Sequence, residues 1–313
     1  MTQRVLVTCH QMQVALPEQR ERLESAGFEI IAPPLPGQQF SEDELIELLP
    51  GCIAMIAGDD PLTRKVLSSA SDLKFLIRWG IGMDSVDHDA ARDLGIVVRN
   101  TPGVFGGEVA DMAMAYVLML ARQTHVVNNQ VHEGEWLKHE GVSLEGQVLG
   151  LAGLGSIGSA VAKRANGFGM NVIAFDPYAS EDAFATHKAR KVSWQQVCEQ
   201  SRFVVLTCPL TPETFHLVNQ QSLEHMKRDS YLVNVGRGPL VDEIALVDAL
   251  EKNAIAGIAL DVFETEPLPL TSGLRSFPNA VFGAHNGSNT SQGVSRASAK
   301  AVDTLLELME ARS

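Results

Sequence analysis

Val148 to Asp176 reads VLGLAGLGSIGSAVAKRANGFGMNVIAFD, and this stretch decides the fold. A strand-length apolar run, Val148 to Ala152, leads into Gly153, Gly155 and Gly158 in GxGxxG spacing; a helical segment follows, and a second apolar run closes on Asp176. Each glycine has a reason: Gly153 permits the tight turn, Gly155 lets a pyrophosphate approach the backbone, and Gly158 lets helix and strand pack closely. The helix opening at Ser156 then presents unpaired N–H groups and a partial positive charge to the phosphates. GxGxxG alone is a weak signal. The acid eighteen residues past Gly158 makes the unit specific, because it stands where a carboxylate can bind ribose hydroxyls. Asp176 also selects the cofactor: its charge opposes a 2′-phosphate, and Pro177 and Tyr178 follow it rather than an arginine. NAD is therefore expected.

Working outward, the segment from Gln147 predicts six strands: Val148 to Ala152, Asn171 to Phe175, Phe203 to Thr207, Tyr231 to Val235, Gly257 to Leu260 and Ala280 to Gly283. With intervening helices they suit a doubly wound dinucleotide fold. The first hundred residues repeat the plan, with strands predicted at Arg4 to Thr8, Phe28 to Ala32, Ile53 to Ala57, Lys74 to Ile77 and Ile96 to Val98. Helix signals lie between them: Ser41 with Glu44 in capping-box spacing, and Asp87 ahead of a helix that Gly95 closes. The expected class is α/β, two doubly wound parallel-sheet domains flanking a cleft. A flavodoxin-like substrate domain takes residues 1–100 plus 291–313, and a Rossmann NAD-binding domain takes 101–290. The last predicted helix, Ser291 to Glu310, returns to pack on the first domain. Glu108 to Arg122 is apolar on almost every side, so it must be buried, either as an interdomain core helix or also in a homodimer interface.

Composition narrows the function. A net charge of −13 argues against a nucleic-acid partner, whose phosphates are bound by basic residues. The longest apolar segment, Met112 to Ala121, is about half of the roughly 20 residues a membrane helix needs. The N-terminal apolar run is too short for a signal peptide core. Cys9, Cys52, Cys198 and Cys208 have neither a CxxC pair nor metal-ligand spacing, and they read as buried thiols in a reducing cytoplasm. No metal is expected.

Three blocks each end a predicted strand: NVGRGPLVD (Asn234 to Asp242), LDVFETEP (Leu260 to Pro267) and GAHNGSNT (Gly283 to Thr290). Ligands of open α/β sheets bind at the carboxyl ends of strands, so the blocks should converge. Arg237 can hold a carboxylate bidentately and polarise the adjacent carbonyl. His285 can exchange a proton with the oxygen as hydride moves at carbon. Glu266 beside His285 would favour the imidazolium and fix the ring. Alone, a histidine among nine is more often a surface or core residue, and an arginine between glycines is often a turn. Together, after a dinucleotide fingerprint, the three point to hydride transfer between nicotinamide and C2 of a small 2-hydroxy or 2-oxo acid.

Over nearly its whole length the chain resembles the D-isomer-specific 2-hydroxyacid dehydrogenases, in particular the D-3-phosphoglycerate dehydrogenase-like branch. The matching stretches are Arg78 to Gly103 (RWGIGMDSVDHDAARDLGIVVRNTPG), the glycine loop, CPLTPET (Cys208 to Thr214), NVGRG, LDVFETEP and HNGSNT. The resemblance implies Arg237, Glu266 and His285 as the catalytic three. It implies that Gly80, Ile81 and Gly82 offer backbone N–H groups to the substrate carboxylate, with Arg78 and Arg237 also on the substrate. It sets Ser156 and Ile157 along the pyrophosphate, Cys208 and Pro209 on the adenosine side and Asp261 near the nicotinamide amide. Val235, Gly236, Gly287 and His285 complete the cofactor set, and homodimers through Glu108 to Arg122 are implied too.

Departures from the family pattern stand out. Ser156 replaces a frequent arginine, Ala284 a proline, Asn286 an apolar residue, and Trp79 fills a normally small position, either walling a pocket or packing against the domain. With the sequence running to Ser313, no C-terminal regulatory domain of the kind some phosphoglycerate dehydrogenases carry is expected. A phosphorylated substrate would need further cations, for which Arg78 and Arg99 are the candidates. The rival readings are a glyoxylate or hydroxypyruvate reductase, a formate or phosphite dehydrogenase relative, and an NAD(H)-sensing binding protein without turnover.

Overall fold

Residues 3–311 are described by a computed structural model, and every strand pairing among them is parallel. They divide into two units, one running through Phe105 and resuming at Asn289, the other spanning Gly106–Ser288.

The first unit begins β1 (Gln3–Val7), α1 (His10–Ser25), β2 (Phe28–Ile31), α2 (Glu42–Leu48), β3 (Cys52–Ala57), α3 (Arg64–Ser69), β4 (Phe75–Arg78), α4 (His88–Asp93) and β5 (Val97–Asn100). Its sheet runs β2-β1-β3-β4-β5, the flavodoxin-like order. All four residues of β4 are buried, as are Val5, Leu6 and Val7 of β1. Strands covered on both faces read as continuous apolar runs, which is why these were visible in the sequence. The capping box of α2 forms as its spacing requires, and the Asp87 side chain caps α4.

The second unit holds α5 (Gly106–Arg122), α6 (Thr124–His132), β6 (Val148–Ala152), α7 (Ser156–Gly167), β7 (Asn171–Phe175), α8 (Glu181–Thr186), β8 (Ala189–Lys191), α9 (Trp194–Gln200), β9 (Phe203–Leu206), α10 (Gln220–His225), β10 (Tyr231–Asn234), α11 (Glu243–Glu251), β11 (Gly257–Leu260) and β12 (Ala280–Phe282). Its order, β12-β11-β10-β9-β6-β7-β8, reverses between β6 and β9 as in a Rossmann sheet. There are seven strands rather than the six predicted. The extra one, β8, is three residues long and carries exposed Arg190 and Lys191, charges that suit an edge strand but leave little apolar signal. Helix α5 belongs to this unit and packs on α7, β10, β11 and β12.

The final helix, α12 (Ser291–Glu310), packs on α1 and β4 of the first unit. Trp79 settles there as a packing residue: its Nε1 donates to Ser298 Oγ at 3.0 Å, and its ring lies 5.1 Å from that of Phe105. Each unit has a core of its own. All four cysteines are free thiols; Cys9, Cys52 and Cys198 are buried as expected, whereas Cys208 is only half-buried.

Candidate active site

Five strands of the second unit end on one line. Ala152, Leu206, Asn234, Leu260 and Phe282 are register partners across β6, β9, β10, β11 and β12. The glycine loop and the segments beginning CPLT, VGRG, DVFETEP and GAHNG therefore leave the sheet side by side at its carboxyl edge.

The glycine loop divides its work as the spacing predicts. Gly153 adopts φ +95°, and a methyl group there would lie 2.9 Å from the Cys208 backbone nitrogen. At Gly158 a methyl would lie 2.2 Å from the Gly153 carbonyl oxygen, so helix and loop touch. Gly155 has nothing within 4 Å of that position. It caps α7 without a side-chain hydrogen bond, leaving the Ser156 end of the helix with the backbone donors and space that a pyrophosphate needs. Asp176 accepts from the N–H groups of Leu154 at 2.7 Å, Tyr178 at 2.8 Å and Ala179 at 3.0 Å. The carboxylate that would meet ribose hydroxyls is thus also a brace for the loop. Burial pushes the Cys208 thiol up to about 11. Thr214 Oγ1 donates to the Pro209 carbonyl at 2.8 Å, folding the CPLTPET segment on itself. These residues fit a dinucleotide.

Beyond β10, Asn234 is fully buried and staples the next turn: it accepts from Gly236 N at 3.0 Å and donates to the Arg237 carbonyl at 2.8 Å. Gly236 faces the Cys208 carbonyl, at 3.1 Å from a virtual methyl, and the Val235 N–H donates to Leu206. Arg237 Nη1 donates to the Gly236 carbonyl at 3.0 Å. A methyl at Gly238 would lie 1.9 Å from the Phe263 carbonyl, so the arginine turn is pressed onto the DVFETEP segment.

That segment carries Glu266, whose two oxygens have separate duties. Oε1 accepts from Phe263 N at 2.9 Å, and Oε2 accepts from His285 Nδ1 at 2.8 Å. Glu264 makes another such pair, accepting from His216 Nε2 at 2.6 Å, and this pair was not anticipated. Burial and the nearby Glu264 and Glu266 raise the pKa of Glu243. His285 itself sits at φ +53°, and its N–H donates to the Asp261 carbonyl at 2.7 Å. The Asp261 carboxylate accepts from Gly287 N at 2.8 Å, from Asn286 N at 3.2 Å and from Tyr116 Oη at 2.7 Å. Among the described residues, no three His, Cys, Asp or Glu side chains are placed to hold a metal ion. Nor is any helix among them long and apolar enough to cross a membrane.

Residues 114–287 match the family model for the NAD-binding domain of D-isomer specific 2-hydroxyacid dehydrogenases. A glyoxylate reductase of Korarchaeum cryptofilum is 35% identical over 98% of this chain and 92% of its own length. The chain belongs to the D-isomer specific 2-hydroxyacid dehydrogenase family. It is an NAD-dependent oxidoreductase. The solved structure of a glyoxylate reductase from Paecilomyes thermophila superposes with a TM-score of 0.88 at 28% identity, covering 99% of this chain and 96% of that one. A D-3-phosphoglycerate dehydrogenase of Methanocaldococcus jannaschii is 35% identical over 80% of this chain but only 49% of its own length, so the chain spans about half of that relative.

Within this dehydrogenase, the departures find places. The Ser156 hydroxyl lies 2.6 Å from where a methyl on Gly106 would be, so the small side chain packs against the start of α5. Asn286 contributes its backbone N–H to Asp261. In the first unit, Gly80 adopts φ +140°, and its N–H donates to Thr101 Oγ1 at 2.9 Å. Asn100 Nδ2 donates to the Ile81 carbonyl at 2.8 Å. Arg78 is buried, 4% exposed, with its guanidinium ion-paired to Asp59 and bonded to the Trp79 carbonyl. Arg99 Nη1 donates to the Val98 carbonyl at 2.8 Å.

Proposed function

We propose that this dehydrogenase reduces small, unphosphorylated 2-oxo acids of the glyoxylate and hydroxypyruvate class, with Arg237, Glu266 and His285 as its catalytic residues. The observation that carries the chemistry is the His285–Glu266 hydrogen bond of 2.8 Å, at the same carboxyl edge of the sheet as the dinucleotide loop. NAD(H), when bound, supplies or accepts the hydride at C2 of the acid. Arg237 binds the carboxylate and polarises the carbonyl. With Nδ1 committed to Glu266, Nε2 of His285 gives a proton to the carbonyl oxygen in reduction and takes it back in oxidation. Gly153, Gly155, Ser156, Ile157 and Gly158 cradle the phosphates and Asp176 binds ribose. Cys208, Pro209, Val235, Gly236, Asp261 and Gly287 line the remaining cofactor surface. The carboxylate role of the 80–82 loop falls to the N–H groups of Ile81 and Gly82, because that of Gly80 is taken by Thr101.

The engagement of Arg78 supports an unphosphorylated substrate. Its charge is already matched by Asp59, and burial keeps it from following a dianion. A phosphate adds about −1.5 to −2 charges that need a cation to meet them. The test is a panel of glyoxylate, hydroxypyruvate, pyruvate and 3-phosphohydroxypyruvate with NADH, plus formate and phosphite with NAD, followed by NADH absorbance. Hydroxypyruvate is expected to exceed its phosphorylated form by at least about tenfold in kcat/KM, a difference of about 1.4 kcal/mol. The reverse preference refutes the substrate class, and binding of NADH without turnover of any acid refutes the enzyme reading.

Glu266→Gln keeps shape and removes charge. Reduction is expected to slow by about tenfold or more, since a hydrogen bond to a charged group is replaced by a weaker one. The alkaline limb of its pH profile should move to lower pH, because an imidazolium without a carboxylate partner gives up its proton more readily. A limb that stays in place removes Glu266 from the proton step.

A cytoplasmic homodimer completes the proposal. Free thiols suit a reducing compartment. On α5 the side chains of Met112, Ala115, Leu118 and Met119 remain half-buried, and Trp136 is 81% exposed, apolar surface of the kind a second subunit covers. Light scattering on the purified protein decides between monomer and dimer.

A further inference from the structure

Tyr116 is the one hydroxyl-bearing side chain on the buried face of α5. Its Oη donates to Asp261 Oδ1 at 2.7 Å, in a buried contact between residues 145 positions apart. A methyl group on Gly283 would lie 2.2 Å from this Oη and 2.1 Å from Asp261 Oδ1. The phenol–carboxylate bond therefore occupies the volume that any side chain at position 283 would require.

Asp261 in turn is the hub of the turn that carries His285. Its carbonyl accepts the His285 N–H, and its carboxylate accepts the N–H groups of Asn286 and Gly287. His285 is held at φ +53°, a region in which a residue other than glycine persists only when its surroundings impose it. The bonds converging on Asp261 impose it here. The carboxylate is only 2% exposed, so each of its hydrogen bonds counts heavily; the one from Tyr116 is the shortest, while the Asn286 contact to the same oxygen is long at 3.2 Å. Burial and the charge of Asp261 raise the phenol pKa, so Tyr116 stays a donor.

We propose that Tyr116 is a positioning residue for the reaction: its hydrogen bond to Asp261 holds the left-handed turn that aims His285, and position 283 is glycine to make room for that bond. The inference rests on His285 being the general acid and base.

The test is Tyr116→Phe, which keeps the ring and removes the hydroxyl. Losing one bond to a buried carboxylate is expected to lower kcat roughly tenfold or more. KM for the 2-oxo acid should stay within about threefold, because the phenol's partner is Asp261 and not Arg237 or the 80–82 loop. In the cofactor-free protein, the His285 imidazole resonance in a labelled-histidine NMR spectrum should shift. The deciding measurement is a double-mutant cycle: in a His285→Ala background the same change should cost less than about twofold in kcat, since the residue through which it acts is gone. Equal losses in both backgrounds, or Tyr116→Phe with wild-type kcat, overturn the proposal. If His285→Ala alone is fully active, the catalytic reading fails instead, and the two failures are told apart by that single variant. Gly283→Ala supplies an independent probe. It is expected to lower kcat at least as far as Tyr116→Phe does, because its methyl would lie 2.2 Å from Tyr116 Oη and 2.1 Å from Asp261 Oδ1 and must part the pair; wild-type kcat in Gly283→Ala refutes the steric part.

Discussion

His285→Ala is expected to lower turnover on the true 2-oxo acid by roughly 100- to 10,000-fold, the range for loss of a general acid, while NADH affinity stays nearly unchanged. The ring is the only part of residue 285 with a proton to exchange, and the fold's hold on that position is through the backbone. The N–H of residue 285 bonds the Asp261 carbonyl, and the carboxylate of Asp261 bonds the next two N–H groups, none of which involves the imidazole. Alanine tolerates φ +53° somewhat less readily than histidine, but it is neither β-branched nor bulky, so the added backbone cost is small beside the loss of the imidazole. Glu266 loses its Nδ1 partner but keeps Phe263 N on Oε1. Steady-state kinetics with saturating NADH, beside a fluorescence titration of NADH, separates the two quantities. Undiminished turnover would remove His285 from the mechanism, and attention would pass to His216 and its bond to Glu264.

Gly158→Ala and Gly155→Ala are expected to part company. The methyl at position 158 meets the Gly153 carbonyl oxygen at 2.2 Å and Thr207 Oγ1 at 2.9 Å. The first neighbour is backbone of the phosphate loop and cannot rotate away, so α7 or the loop must move. Overpacking of this kind costs about 1–3 kcal/mol of stability, and the displaced loop should weaken NADH binding by at least about tenfold. At position 155 the methyl meets nothing within 4 Å and φ is −73°, so stability should change by less than about 0.5 kcal/mol while NADH affinity still falls, because the methyl stands where the pyrophosphate would lie. Urea denaturation midpoints and NADH titrations of both variants give the comparison. Equal stability losses would mean that the two glycines do not divide the work between packing and ligand approach.

Much of this was legible along the chain, and the reason is local. Parallel strands sheltered on both faces need continuous apolar runs, so Val148–Ala152, Asn171–Phe175 and Gly257–Leu260 are found where the sequence puts them. Caps act over three residues, which is why Ser41 and Asp87 announced their helices. Signals fail where an element is short or its meaning lies elsewhere. The ARK of β8 gives too few apolar positions to register. Helix α5 read as apolar on almost every side, and nothing near Tyr116 in the chain reveals that its hydroxyl has a partner. Arg78 looked available for a phosphate until the fold put Asp59 against it.

The amino-acid sequence by itself determined two parallel α/β sheets, their strands other than β8, the dinucleotide loop and the residue types of the chemistry, because each depends on neighbours a few positions away. Which atoms of those residues remain for chemistry was decided only in three dimensions. Burial removes water as a competing partner, so a buried guanidinium or carboxylate must take whatever group the fold brings to it, and those groups come from distant parts of the chain.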